Sequence, residues 1–348
     1  MQALILAGGR GTRFWPASRK GRPKQLLPLV GKGTLLRQTF ERMQPLTSAA
    51  STWVCTNRDI GEQVRRELPE IPAHQILAEP VGRNTAAAIA WSLASMTESQ
   101  LDDVVVSLHS DSWITDEDSF RASLTLAVEA VEERDCVMAL GVRPRWAEIG
   151  YGYIETAETV DRDKGLLRVS SFREKPDSST AKEFLGSGRH FWNSGIFVFR
   201  GRTLLEHFRR LMPELAAGVE KAVAGTEDLE AVYSSLPAES VDTGVMERLD
   251  DLYTIALDCG WSDLGSWESL AEVLGAADSG NSTHGRVVAI DSRDNLLYGQ
   301  GGAIAVLGVE GLAVVHAGDA VLVVPKSRSQ EVRLIVEELR RREDEDLL

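Results

Sequence analysis

The chain has 348 residues, 43% of them hydrophobic and 26% charged, a balance that fits a soluble globular enzyme with one large α/β domain and a smaller appendage. Lysine and arginine number 38 against 52 aspartates and glutamates, a formal net charge of −14 that disfavours non-specific binding to nucleic acid or to an anionic membrane. No partner of either kind is expected, and the cations crowded into the opening segment stand out as local.

In chain order, apolar runs at 4–7, 52–56, 104–108, 136–142 and 196–199 predict strands. Several are apolar on both faces, as parallel strands covered by helices are. Helical periodicity falls between them, over 35–43, 60–68, 84–96 and 119–133. That alternation predicts a doubly wound sheet with its ligand site at the carboxyl ends of the strands. Residues 204–220 and 266–274 read as later helices. After Ser279-Gly280-Asn281-Ser282 the texture changes to short β runs with glycine turns, and an amphipathic helix follows over about 329–342. These features divide the chain into a domain of 1–280 and a small β-rich piece of 281–348. Cys55, Cys136 and Cys259 are odd in number and widely separated, which fits neither a disulfide framework nor a metal-ligand spacing. The opening "ALILA" is too short for a signal h-region, and no apolar run approaches transmembrane length. A cytoplasmic location is expected.

The stretch "LILAGGRGTRFWPASRKGRPKQLLPL" sends the first strand into a glycine-rich turn. A P-loop would need a Lys-Ser/Thr pair that Gly8-Gly9-Arg10-Gly11-Thr12-Arg13 lacks, and a dinucleotide fingerprint would need glycine where Phe14 stands. What survives is a turn whose N–H groups can approach a polyphosphate while Arg13 and Lys24 neutralise it, with a plain tight turn and solvated basic loop as the alternative. Asp111 in "LHSDSWI" and Asp263 in "GWSDLGSW" end strand-like segments. Together they could hold Mg²⁺ along with nucleotide phosphates; singly, each reads as an ordinary turn or cap residue. "FREKPD" and "FWNSGIFVF" set Glu174, Lys175 and Asn193 beside apolar strand segments, a donor and acceptor set suited to a sugar phosphate or to a surface turn and a buried amide.

The opening stretch resembles the signature of the sugar-phosphate nucleotidylyltransferases, and its "FWP" and "PKQ" resemble the mannose-1-phosphate guanylyltransferase branch. Further blocks agree in order: "AEPVGRNTAAAIA" (78–90), "GYGYIE" (150–155), "FREKP", "FWNSGIFVF", "ESVDTGVMER" (239–248), "GWSDLGSW" and "VLVVPKSRSQEVRLIVEEL" (321–339). The resemblance spans nearly the whole chain. It implies a Rossmann-like, GT-A-like α/β fold with a mixed, mainly parallel sheet, helices on both faces, and a small tail resembling a left-handed β-helix. It also implies an enzyme that transfers GMP from GTP to mannose 1-phosphate by Mg²⁺-assisted in-line attack of the sugar phosphate, giving GDP-mannose and diphosphate.

Residue by residue, the resemblance puts Leu6, Ala7, Gly8, Gly9, Gly11, Thr12, Arg13, Lys24, Glu79 and Asn84 around the nucleotide. Gly152, Glu174, Lys175, Asn193 and Asp242 would surround the sugar phosphate, with Asp111 and Asp263 on the metal. Arg13, Lys24 and Lys175 would carry the catalytic charge neutralisation. Two departures stand out: His109-Ser110-Asp111-Ser112 where relatives read Pro-x-Asp-His, and "VDTGVME" where an aromatic often follows the aspartate. They leave open a same-fold enzyme for a heptose or glucose 1-phosphate, and a catalytically silent nucleotide-sugar sensor. Longer relatives continue into a phosphomannose isomerase domain that the sequence does not include, so a single activity is expected. A homodimer built through the tail is expected too.

Overall fold

A computed structural model describes residues 1–9, 11–277 and 279–348; Arg10 of the opening cationic run lies outside them. Contacts group the chain into two compact units. One comprises residues 1–8, 40–110 and 114–261, the other residues 9–39, 111–113 and 262–348.

The first unit is built on a nine-stranded sheet. Its strands are β1 (Gln2–Ala7), β2 (Thr52–Asn57), β3 (Ile76–Glu79), β4 (Val104–His109), β5 (Val137–Val142), β6 (Tyr153–Asp161), β7 (Leu166–Arg173), β8 (His190–Arg200) and β9 (Leu252–Thr254). They lie in the order β3-β2-β1-β4-β8-β5-β9-β7-β6. The sequence "QALILA" of β1 is buried at every position, as a central strand covered on both faces must be. β1 runs parallel to β2 and β4, and β2 parallel to β3, so the carboxyl ends of these four strands share one edge of the sheet. That edge carries Ala7, Asn57, Glu79 and His109. β8 runs antiparallel to β4, β5 and β6, making the sheet mixed.

The helices of this unit are α2 (Gly61–Glu67), α3 (Asn84–Ala94), α4 (Glu98–Asp102), α5 (Glu117–Arg134), α6 (Ser178–Ser187), α7 (Gly201–Leu211), α8 (Pro213–Val223), α9 (Leu229–Ser235) and α10 (Val241–Gly244), while α1 (Leu35–Met43) has residues in each unit. Alanines dominate α3, and Ala86 to Leu93 is buried throughout, which lets the helix lie close in the core beside Trp53, Phe208 and Tyr233. The single helix expected over 204–220 is two. Pro213 lacks an N–H and opens α8 as its first residue, so the chain turns at Met212. The strand expected over 196–199 is the end of the eleven-residue β8.

The second unit has a four-stranded sheet of β10 (Ser282–Ile290), β11 (Leu296–Leu307), β12 (Leu312–Ala317) and β13 (Ala320–Pro325), with α11 (Trp267–Leu274) and α12 (Val332–Arg342). β10, β11 and β12 pair in parallel, and β13 returns antiparallel. The helix expected from 329 begins instead as a 3-10 turn, Lys326–Glu331. Phe14, Trp15, Leu27 and Leu29 of the opening segment share one core with Trp267, Tyr298, Val315 and Val332. Hydrogen bonds fix that packing: Trp267 Nε1 donates to Trp15 O at 3.1 Å, Trp15 Nε1 to Leu347 O at 2.8 Å, and Arg19 pairs with Asp319 at 2.8 Å. Residues nearly the whole chain apart in sequence therefore form one body. No helix among the described residues is long and apolar enough to cross a membrane.

Candidate active site

In the first unit, three successive carbonyls at the end of β1 are engaged. Ser110 N–H donates to Leu6 O at 2.9 Å, Thr56 Oγ1 to Ala7 O at 2.9 Å, and Asn57 Nδ2 to Gly8 O at 2.5 Å. A Cβ on Gly8 would stand 3.6 Å from Glu79 Oε2, so this carboxylate closes on the glycine turn. Glu79 is only 4% exposed, and its Oε1 has no hydrogen-bond partner among the described residues. Burial pushes its carboxyl up to about 7, against hydrogen bonding from Tyr233 and the Arg83 main chain. Asn84 is exposed where α3 begins, with φ of 68° and its Oδ1 accepting the Thr85 N–H at 2.9 Å.

The five residues expected around a sugar phosphate come together in this unit. Asn193 N–H donates to Gly152 O at 2.8 Å, and a Cβ on Gly152 would lie 2.5 Å from Glu174 Oε2 and 3.3 Å from Asn193 Cβ. Only glycine fits there. Asn193 Nδ2 donates to Asp242 Oδ1 at 2.8 Å. Burial raises the Asp242 carboxyl, and the charge of Glu174 raises it further, while His109 and Asn193 act the other way. Lys175, with φ of 45°, donates from Nζ to Glu174 Oε1 at 2.7 Å and remains 64% exposed, so its ammonium can reach an incoming anion. The Glu174 N–H is held by Glu247 Oε1 at 3.0 Å. Sequence reasoning missed Asn57 and Glu247, although Glu247 stands in the quoted "ESVDTGVMER".

In the second unit, the opening segment folds over a buried cation. Lys24, 4% exposed, donates from Nζ to Asp111 Oδ2 at 3.0 Å and to the Asp263 carbonyl at 2.6 Å. Asp111 and Asp263 are drawn together by a two-residue antiparallel bridge, Trp113 N–H to Ser262 O at 2.8 Å and Ser262 N–H to Trp113 O at 3.0 Å. The Asp263 side chain is aimed by its own turn, with Oδ1 accepting the Gly265 N–H at 2.8 Å. Gly11 has φ of 61°, and a Cβ there would run into Lys24 Cβ, so glycine is required twice over. Gly9 is exposed, with open space where its Cβ would be. Thr12 opens the 3-10 turn Thr12–Phe14, and the exposed Arg13 donates to Gln330 Oε1 at 2.7 Å. Arg13 and Lys24 thus have different partners in this structure.

The donor set can be compared with what a metal needs. The Asp111 and Asp263 carboxylates are hard oxygen donors, and Asp111 already holds a cation in Lys24 while remaining 37% exposed. No cluster of three or more His, Cys, Asp or Glu residues suited to a metal occurs among the described residues. One or two carboxylates are what an ion such as Mg²⁺ takes from protein when it completes its shell with substrate oxygens.

A model of the Nucleotidyl transferase family matches residues 2–279. The chain belongs to the nucleotidyl transferase family. A second model, for the MannoseP isomerase/GMP-like beta-helix domain, matches residues 285–339. The chain is 39% identical over 347 residues to the Xanthan biosynthesis protein XanB of Xanthomonas campestris pv. campestris, covering 97% of this chain and 73% of that one. It is 36% identical over 351 residues to an Escherichia coli K12 protein named mannose-1-phosphate guanylyltransferase, covering 97% and 73%. A Thermus thermophilus crystal structure titled mannose-1-phosphate geranyltransferase superposes with a TM-score of 0.90 at 38% identity, covering 97% of this chain and 99% of that one.

The buried Glu79 sets a pH signature. Its ordinary value is 4.5 and its folded value about 7, so between those limits the folded chain binds more protons than the unfolded one and stability falls as pH rises. The loss amounts to about 3 kcal/mol in total and levels off above pH 7. Urea denaturation at pH 5 and pH 8 checks this. Glu79→Gln should gain on the parent chain by that order at pH 8 relative to pH 5, whereas parallel pH profiles would contradict it.

Proposed function

We propose that this chain transfers GMP from GTP to α-D-mannose 1-phosphate, giving GDP-mannose and diphosphate. The observation that carries the reading is the fixed Lys24–Asp111–Asp263 group in a chain that is 36% identical, over nearly its whole length, to a mannose-1-phosphate guanylyltransferase. In-line attack of a sugar phosphate on the α-phosphorus needs no enzyme nucleophile, so the protein's part is positioning and charge neutralisation. Gly8, Gly9, Gly11 and Thr12 would line the nucleotide beside Leu6 and Ala7, with Glu79 and Asn84 toward base and ribose. Guanine offers N–H donors on its N1 and N2 edge, and the unpartnered Glu79 Oε1 is an acceptor of the kind they require. Lys24 and Arg13 would neutralise the polyphosphate. Lys175 would take the sugar phosphate, while Gly152, Glu174, Asn193 and Asp242 would read the sugar hydroxyls.

Asp111 and Asp263 would hold Mg²⁺, which when bound polarises the α-phosphate and neutralises its charge. We place the reaction in the cytoplasm, in keeping with three free, buried cysteines. Residues 1–280 would carry the chemistry and 281–348 a tail that joins two copies. Supporting that pairing, Ile290 and Leu307 are register partners in β10 and β11, and they are 54% and 69% exposed.

Diphosphate release with Mg²⁺, crossing GTP, ATP, UTP and dTTP against mannose 1-phosphate and glucose 1-phosphate, tests the reaction. Release confined to GTP with mannose 1-phosphate is expected; release with another pair moves the specificity, and silence throughout overturns the reading. Asp111→Asn and Asp263→Asn should each lower turnover by about 100-fold or more with an unchanged circular dichroism spectrum. Unchanged turnover in either variant removes that aspartate from the metal. By sedimentation, the parent chain should be a dimer and Leu307→Asp a monomer, and a monomeric parent chain would contradict the pairing.

A further inference from the structure

β8 carries an irregularity beside the sugar-reading residues. Against β5, its register pairs Ala139 with Phe197 but Gly141 with Asn193, so Ser194, Gly195 and Ile196 together face the single residue Leu140. Ser194 Oγ ties the bulge down by donating to Leu140 O at 2.7 Å and accepting the Ile196 N–H at 3.2 Å. Such a bulge bends the strand and re-aims the side chain next to it. Here that side chain is Asn193. The Gly195 N–H donates to Asn193 Oδ1 at 3.0 Å, which turns Nδ2 of the same amide toward Asp242 at 2.8 Å.

The opposite side of β8 is β4. Its register pairs Val104 with Arg200 and Ser107 with Phe197, and continued by two residues it sets His109 opposite Gly195. The imidazole lies there. A Cβ on Gly195 would stand 2.7 Å from His109 Cδ2 and 3.0 Å from Nε2, and Gly195 holds φ at 72°, where glycine is favoured on conformational grounds as well. The ring therefore occupies the space a side chain at 195 would need, and it lies within electrostatic reach of Asp242.

We infer that His109 is a positioning residue for sugar recognition: its ring, packed on the bulge glycine, fixes Gly195 and through it the Asn193–Asp242 pair that reads the sugar. The inference rests on the assignment of Asn193 and Asp242 to the sugar. It gives a role to a residue that the sequence alone marked only as a departure, and it works through shape and hydrogen-bond direction, with no change of protonation.

The test is a size swap read kinetically, using whichever sugar 1-phosphate the unmodified chain consumes, so that a different sugar specificity leaves it intact. His109→Ala should raise KM for the sugar phosphate about tenfold, with KM for the nucleotide within about twofold of the parent. Gly195→Ala should do at least as much, because its Cβ collides with the ring. In the double variant the new methyl occupies the vacated space, so its sugar KM should fall below that of Gly195→Ala and well below the product of the two single effects. Three results would overturn the inference: an unchanged sugar KM in His109→Ala, equal rises for both substrates, or single effects that multiply in the double variant. The nucleotide KM of the same variants separates the inference from the reading beneath it. If disturbing the bulge weakens nucleotide use and spares the sugar, the assignment of Asn193 and Asp242 fails, whereas failure of the swap alone removes only His109.

Discussion

A buried ammonium cannot stand alone, and the architecture of the second unit follows from how Lys24 is satisfied. Its Nζ rests between the Asp111 carboxylate and the Asp263 main-chain carbonyl. Removing Asp111 would leave the ammonium buried without its counter-charge. Gly11 has to be glycine because Lys24 fills the space beside it. The Trp113–Ser262 bridge is what delivers both aspartates to the ammonium. Phe14 adds an aromatic face 5.6 Å from the same nitrogen. One fixed cation thus ties the Asp111 carboxylate to the main chain of Asp263.

The first unit solves the complementary problem with acceptors. Glu174, Asp242 and Glu247 are three carboxylates in one neighbourhood, and each has a named donor or a neutralising neighbour: Lys175, Asn193 and the Glu174 N–H respectively. A sugar ring presents hydroxyls that both donate and accept, so a fixed set of acceptors with one exposed ammonium is the kind of surface that the proposed sugar phosphate requires. The rigidity comes from backbone. Gly152 and Gly195 bring main chain close enough that Asn193 is held at its N–H, its Oδ1 and its Nδ2.

Much of this was legible in the sequence, for identifiable reasons. The strands 4–7, 52–56 and 104–108 are short, mostly apolar runs, and Leu35–Met43 has clean helical periodicity. The hairpin of β6 and β7 was not read, because one face is exposed and its alternation is broken by three register shifts. Pro213 stood in view, yet the apolar spacing on either side continued through it. The grouping of Gly152, Glu174, Lys175, Asn193 and Asp242 came from family resemblance, since nothing local in those segments predicts that they meet. Partners such as Gln330 for Arg13, or Leu347 for Trp15, lie more than 300 residues away and leave no trace in periodicity. The wedge of His109 on Gly195 needed the β8 bulge to become visible.

On this reading Lys24 is the cation that readies the phosphate and metal residues, separate from the recognition of the sugar. Calorimetric binding of Mg²⁺-GTP and of mannose 1-phosphate to the folded Lys24→Met variant, beside the parent chain, tests this most directly. Nucleotide affinity is predicted to fall by about tenfold or more while sugar-phosphate affinity holds within about twofold. An unchanged nucleotide affinity, or a loss confined to the sugar phosphate, would contradict it.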